Sequence, residues 1–517
     1  MKVFNFQVVA VAAYRTFSSN GVAKPSAWAL TNLKTKSNRE VEQCRSRNLP
    51  MSKIEWGEEQ KHVLSAISEG KSVFITGSAG TGKTLLLEET IKFLNRLHTP
   101  SGVYVTASTG IAACALKGQT LHSFAGIGIV GGDNDDDDPQ NLLERVLSNK
   151  GACKRWRKVQ ALVIDEISMV SAKLFDNLDY VARRVKGVNE KTWGGIQLVV
   201  SGDFFQLPPV TNRGRNCKVV KYAFEAKCWN NSFDLQLELK RVFRQSDYGL
   251  TRLLEGVRRG ESDPQDLEFL EHLCLGNDEC DYDPSVVQLF PLNKDVEKVN
   301  EERLRSLQKD VVVYRAVDSG KGHWKRQLSC GIAPDEISLC EGARVMLVKN
   351  LDTEHGLVNG ATGVVVGFSW SSVKREDLDG ICNDNVLPMV KFDSGQFMTV
   401  KPATWHVMDG YKVVACRKQI PLILAWAMSI HKCQGMTLDR IHTDLSRAFG
   451  CGMVYVALSR VRTLEGLHLS ALSRSKIKVD QKVSRFYRSL AEKGEKVMIV
   501  DESTKKVPPL SILKKSE

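Results

Sequence analysis

Residues 72–84 read SVFITGSAGTGKT, and this stretch decides the fold. A β-branched run breaks into a glycine turn, and a segment with Leu87, Ile91, Leu94 and Leu97 on one helical face follows. The reading is strand, loop, helix. From Gly77 through Ser78, Ala79, Gly80, Thr81 and Gly82 to Lys83 and Thr84 the spacing is GxxxxGK[ST]. Its glycines let successive backbone N–H groups and the helix N-terminus face a phosphate chain. Lys83 is then set to reach the outer phosphates, and the Thr84 hydroxyl to take a place on Mg²⁺. The residues predict ATP binding.

Other strand ends supply the rest of a phosphoryl-transfer site. Ala161–Ile164 is an apolar run closed by Asp165 and Glu166, and two adjacent carboxylates at a buried strand end need a compensating partner. Beside a phosphate loop that partner is a metal ion. Asp165 is assigned to the ion, and Glu166 to the attacking water as general base. Gln197–Val200 leads into Gly202-Asp203-Phe204-Phe205-Gln206, where Gln206 is suited to sense the γ-phosphate and Asp203 to a structural or outer metal role. Arg244 and Arg460, from later in the chain, are candidates for neutralising the transferred group.

Strands alternating with helical stretches predict a parallel α/β sheet, with its ligands at the carboxyl ends of the strands. A second such set begins at Val286–Phe290, and Leu422–Asp439 and Val454–Leu469 return to α/β character. Between them, Arg344–Val348, Gly363–Gly367, Val390–Phe392 and Phe397–Val400 alternate in the β manner, as in a small inserted barrel. Thr109, His122, Phe124, His431, Lys432 and Gln434 lie near turn glycines. As a set they suit backbone contacts and base stacking on single-stranded DNA.

Composition sets the bounds. The 517 residues carry a formal charge of +12, but residues 1–50 concentrate Lys2, Arg15, Lys24, Lys34, Lys36, Arg39, Arg45 and Arg47 against Glu40 and Glu42. The body is only mildly basic, so charge alone does not establish a nucleic-acid partner. Having no acid before Glu40, the first fifty residues read as an organellar transit peptide, mitochondrial first, with a disordered basic tail as the plain alternative. A start at Met51 would give a version without it, which leaves a nuclear form open. The 13 cysteines show no CxxC pair and read as reduced thiols. No apolar run reaches the roughly 20 residues that span a bilayer, and no membrane partner is expected.

In order, GSAGTGKT (77–84), STGIAA (108–113), HSF (122–124), IDEISMV (164–170), GDFFQLPPV (202–210), RVFRQ (241–245), SIHKCQGMTLD (429–439) and YVALSRVR (455–462) resemble the Pif-type (petite integration frequency) DNA helicases of superfamily 1. The resemblance covers about residues 55–475. It implies two RecA-like parallel-sheet domains in tandem, with a wedge element in the first and an SH3-like β-barrel in the second. On that plan 51–245 is the first domain, with its wedge within about 115–150, and 246–310 plus 421–480 form the second. Residues 311–420 are the barrel, and 481–517 a C-terminal helix and basic tail.

By matching position, the resemblance puts Gln60 on adenine and Gln206, Arg244 and Arg460 at the γ-phosphate. It puts Thr109, His122 and the 431–435 segment along DNA, with barrel residue Asn359 near them. It also implies 5′-to-3′ unwinding of duplexes, forks, RNA–DNA hybrids or G-quadruplexes by a monomer, in repair, recombination, replication or telomere maintenance. Cys433, where many relatives have a small hydroxyl residue, and the acidic loop 133–138 in the wedge region depart from the family pattern. An ATPase switch acting on a protein partner is the alternative, and the set around His431 and Arg460 speaks against it.

Overall fold

The computed structural model describes residues 55–127, 138–209, 221–245, 247–275, 286–320, 328, 333–352, 355, 357, 359–370, 380–382, 384–409 and 412–504. The 1–50 segment, the Met51 start, the acidic stretch 133–137 and the basic tail past 504 lie outside them.

Strands β1 (Val73–Gly77), β2 (Val103–Ala107), β3 (Gln119–Thr120), β4 (Ala161–Asp165), β5 (Gln197–Ser201) and β6 (Leu235–Leu239) form one parallel sheet in the order β3-β2-β4-β5-β1-β6. Its residues alternate between two buried faces. Val73, Ile75, Val163 and Val199 join Leu86, Leu87 and Leu94 of the helix Lys83–Leu97 on one side, while Phe74, Leu162, Ile164 and Val200 face the other. A sheet covered on both faces explains why its strands read as unbroken apolar runs. Each fully buried aliphatic side chain contributes about 1.5–3 kcal/mol.

The second face is covered by the helix Ala172–Lys186 and by a helix from the far end of the chain, Gln481–Thr504. Val483, Tyr487 and Leu490 enter the first-lobe core, and Phe486 stacks on Phe224 with ring centroids 4.5 Å apart. The C-terminal helix thus completes the first lobe.

A second parallel sheet joins β7 (Val287–Phe290), β18 (Ala427–Ser429), β19 (Ile441–Asp444) and β20 (Leu467–Ala471) in the order β18-β7-β19-β20. Its core takes in the helices Tyr248–Arg259 and Met453–Leu458, together with Ala79 and Leu207 of the first lobe.

The insertion is antiparallel. Strands β8 (Val312–Arg315) and β10 (Glu336–Leu339) pair, and β9 (Val317–Gly320), β15 (Ala403–Asp409) and β16 (Lys412–Gln419) form a three-stranded sheet. Five strands run in the order β14-β13-β12-β11-β17, namely Phe397–Thr399, Val386–Phe392, Thr362–Trp370, Arg344–Leu347 and Leu422–Leu424. The expected boundary at residue 420 needs correction. Leu422–Leu424 looks like the start of the α/β return, but Val345 pairs antiparallel with Leu424 and Leu347 with Leu422, and the parallel sheet resumes only at Ala427. A short apolar strand does not reveal from its own residues which sheet receives it.

Candidate nucleotide cleft and strand-binding face

The phosphate loop leaves β1 with positive φ at Gly77, Gly80 and Gly82. At Gly80 this freedom is required, because a Cβ there would lie 2.5 Å from the Arg244 Cβ. The loop opens into a cleft of about 520 Å³ lined by Lys83, Thr84, Glu166 and Gln206 from the first lobe, Arg244 just after it, and Thr437, Arg460 and Arg462 from the second. The sequence assignments to phosphate and water thus converge on one cavity from five segments of chain. Lys83 Nζ donates to the carbonyls of Gly77 and Ser78 at 2.8 and 2.9 Å, and burial holds its pKa below the usual lysine range.

Asp165 and Glu166 sit together at the end of β4. Burial raises both carboxyls, and Glu166, repelled also by Asp165, is pushed up to about 7. Two desolvated oxygen donors with Lys83 as the nearby cation, and the exposed Thr84 hydroxyl on the same cleft, are a hard-cation donor set. The residues fit Mg²⁺.

Arg460 is 1% exposed, and its guanidinium bonds to the Val456 and Met436 carbonyls and the Ser459 hydroxyl at 2.7–3.0 Å. Arg244 donates to the Ser459 carbonyl at 3.1 Å, and burial with Arg460 alongside lowers it to about 9. Two adjacent cations held by neutral oxygens, Arg460 buried and Arg244 half-buried, make a pocket that favours an anion. Asp203 is different. Arg258, also 1% exposed, grips it with two bonds of 3.1 and 3.0 Å. Burial alone would raise Asp203, and the Arg258 charge more than offsets it, so the carboxyl lies below its usual range. Its charge is thus already matched where it sits.

Gln60 is buried beside the loop. Its Oε1 accepts from the Gly57 N–H at 3.0 Å, and its Nε2 lies 3.3 Å from where a Gly82 Cβ would be. Phe243, which the sequence reading left without a role, is 49% exposed at the same edge and carries the Arg241 guanidinium 5.0 Å from its ring centroid. An exposed ring between two arginines in RVFRQ was the available signal. Tyr455 was also missed. Its hydroxyl accepts the Ala79 N–H at 2.7 Å, joining the second lobe to the phosphate loop.

The residues expected along DNA divide. His431 and Lys432 are exposed, and His122 and Asn359 half-buried. Thr109 is half-buried, with its hydroxyl accepting the Ala112 N–H at 3.2 Å. Asn359 donates its N–H to Asn350, and a Cβ on Gly360 would stand 3.1 Å from the Thr437 carbonyl, so this insertion loop adjoins the 431–437 segment.

Two assignments are corrected. Phe124 is fully buried, its ring centroid 4.8 Å from Trp156 and 5.1 Å from Tyr104, so it is core and cannot stack on a base. Arg155, just past the expected wedge region, clamps the Ser123 and Phe124 carbonyls within it and holds that turn against the helix Lys150–Lys158. Gln434, expected on the strand, is instead engaged with the first lobe, where its Nε2 donates to Glu166 Oε2 at 2.9 Å.

Two parallel-sheet lobes with a phosphate loop in the first and arginines from the second define a P-loop ATPase of the tandem RecA-like class. Residues 55–255 match the model of the PIF1-like helicase family, and residues 327–368 that of the DNA helicase Pif1, 2B domain. The human ATP-dependent DNA helicase PIF1 is 40% identical over 447 residues, covering 86% of this chain and 65% of its own length. A crystal structure of the Pif1 helicase from Candida albicans is 38% identical with a TM-score of 0.67, covering 84% of this chain and all of that one. The Bacteroides Pif1, 29% identical, covers 85% of this chain and 98% of its own in both of two states. It gives a TM-score of 0.69 unliganded and 0.56 in complex with ADP-AlF3 and ssDNA. The chain belongs to the PIF1-like helicase family. It spans two thirds or less of the curated relatives it matches, from 56% of the Candida albicans protein to 66% of the rat protein.

Proposed function

We propose that this protein is an ATP-dependent DNA helicase that moves 5′-to-3′ along single-stranded DNA and unwinds duplexes, forks, RNA–DNA hybrids or G-quadruplexes. The observation that carries the reading is the shared cleft, with Lys83, Glu166 and Gln206 on one lobe and Arg244 and Arg460, without a carboxylate ion pair among the described residues, reaching it from beyond. Water attacks the γ-phosphorus as Glu166 accepts its proton, and the bond to the bridging oxygen breaks to leave ADP and phosphate. Arg244 and Arg460 stabilise charge spreading onto the transferred group, so hydrolysis follows the approach of the lobes. Thr84 and Asp165 would hold Mg²⁺, which supplies charge neutralisation at the phosphates. Gln60 and Phe243 form the adenine edge.

His431, Lys432, Thr109, His122 and Asn359 are assigned to the strand. A relative captured with ADP-AlF3 and ssDNA together supports one protein holding both. We further assign the chain to genome maintenance as a monomer on DNA, in mitochondria through residues 1–50 and in the nucleus from a start at Met51. A fluorescent passenger fused to 1–50 that stayed cytosolic would end the targeting assignment.

The test of the activity is ATP turnover with and without single-stranded DNA, followed by unwinding of partial duplexes bearing a 5′ or a 3′ tail. The expected result is DNA-stimulated turnover and unwinding from the 5′ tail. Turnover without strand separation would point to a nucleotide switch.

A further inference from the structure

We propose that Gln434 is a positioning residue that restrains the Glu166 carboxylate while the strand-binding face is empty, and that DNA on His431 and Lys432 withdraws the restraint. The inference rests on the helicase reading and deepens its site, by naming the contact through which DNA reaches ATP hydrolysis.

The geometry carries it. The 2.9 Å bond from Gln434 Nε2 to Glu166 Oε2 joins residues 268 positions apart in different lobes. It occupies a carboxylate oxygen that a general base uses to take a proton from water. The 431–436 turn is closed on itself by backbone hydrogen bonds. The Lys432 and Cys433 N–H groups both donate to the Ser429 carbonyl, and the Met436 N–H returns to the Cys433 carbonyl. A pull on the exposed His431 and Lys432 side chains therefore reaches Gln434 through short backbone contacts. Gly435, next in line, has φ +80° and open space where a Cβ would stand, so the turn has room to shift there.

Glu166 is held from the other side as well. It has φ 53°, a conformation that a non-glycine residue keeps only where its surroundings enforce it. The Ser108 hydroxyl donates to the Glu166 carbonyl at 2.8 Å, and the Ser108 N–H to the Asp165 carbonyl at 3.1 Å. Ser108 immediately precedes Thr109. Neighbours of candidate strand contacts in both lobes thus end on one residue, Ser108 at its carbonyl and Gln434 at its carboxylate. The structure that holds this contact superposes better on the unliganded Bacteroides relative than on its complex with ADP-AlF3 and ssDNA.

The experiment compares the parent with Gln434→Met, which keeps length without a donor, and Gln434→Ala. Steady-state ATP turnover is measured without DNA and with saturating oligo(dT), alongside nucleotide-free affinity for the same oligonucleotide and thermal melting. Hydrogen bonds to charged groups correspond to about 10–100-fold in an equilibrium, so DNA-free kcat should rise about tenfold or more in both variants. KM for ATP and oligonucleotide affinity should stay within about threefold, and the ratio of stimulated to unstimulated turnover should collapse toward one. An unchanged ratio in both variants, or a fall in DNA-free turnover, would overturn the proposal. Loss of oligonucleotide affinity with the ratio preserved would also overturn it and return Gln434 to the strand. A parent without DNA stimulation would fail the helicase reading itself, an outcome that no behaviour of the variants can imitate.

Discussion

Arg258 and Arg460 are both 1% exposed, yet one is spoken for and the other is not. Arg258 meets Asp203, Glu238 and Glu255 and lies over the Phe205 and Tyr487 rings at 4.8 and 5.2 Å. Among its hydrogen bonds Arg460 has carbonyls and one hydroxyl, and its charge acts on Glu166 across the cleft. Burial alone does not mark a functional arginine. The difference is whether the charge is already neutralised where it sits, because a cation stabilised only by dipoles keeps its field for an incoming phosphate.

The comparison breaks most sharply at Arg460. Arg460→Ala should lower DNA-stimulated kcat by about 10³–10⁵-fold, with lysine a poor substitute because a point charge lacks the planar fork. Turnover within tenfold of the parent would make Arg460 as structural as Arg258. Arg258→Met should act on stability instead. It strands Asp203 without its partner, and breaking such a buried pair costs about 3–5 kcal/mol, read as a lower urea midpoint. A kinetic defect at unchanged stability would erase the distinction.

The pH profile sharpens the other end of the cleft. With Glu166 pushed up to about 7 in the free protein, kcat/KM for ATP should fall about tenfold per unit below that pH as the base protonates. Glu166→Gln should remove that acid limb along with the turnover. The smallest expected effect is Tyr487→Phe. The Tyr487 hydroxyl meets the Phe204 N–H and Asp203 at 3.2 Å and Thr76 at 2.5 Å, so its loss should cost about 1–3 kcal/mol with little change in KM. A larger kinetic than thermal effect would mean that the C-terminal helix tunes the cleft as well as supporting it.

Much of the nucleotide site was legible because its chemistry is local. Lys83 and Thr84 are adjacent at the end of the glycine turn, and Asp165 and Glu166 are adjacent at a strand end, so residue order already limits what they can touch. Arg244 and Arg460 were legible only as types within a familiar run of motifs, since a lone arginine in a sequence is usually solvated. Phe124 misled for a related reason. An aromatic flanked by His122 and a turn glycine looks exposed until Trp156 and Tyr104 close around it. Leu422–Leu424 shows the same limit for strands, because apolar residues specify burial but not the neighbour.

Taken by itself, the sequence determined the phosphate loop, the paired carboxylates at a strand end, the two-lobed α/β plan and the presence of an antiparallel insertion. Each follows from periodicity or spacing within a few residues. Tertiary structure decided that Tyr487 from the last helix supports the sheet carrying the phosphate loop, that Arg258 is neutralised and Arg460 is not, and that Gln434 rests on Glu166. Those outcomes depend on contacts across hundreds of positions, where the energy of a polar side chain is set by the partner that folding brings to it.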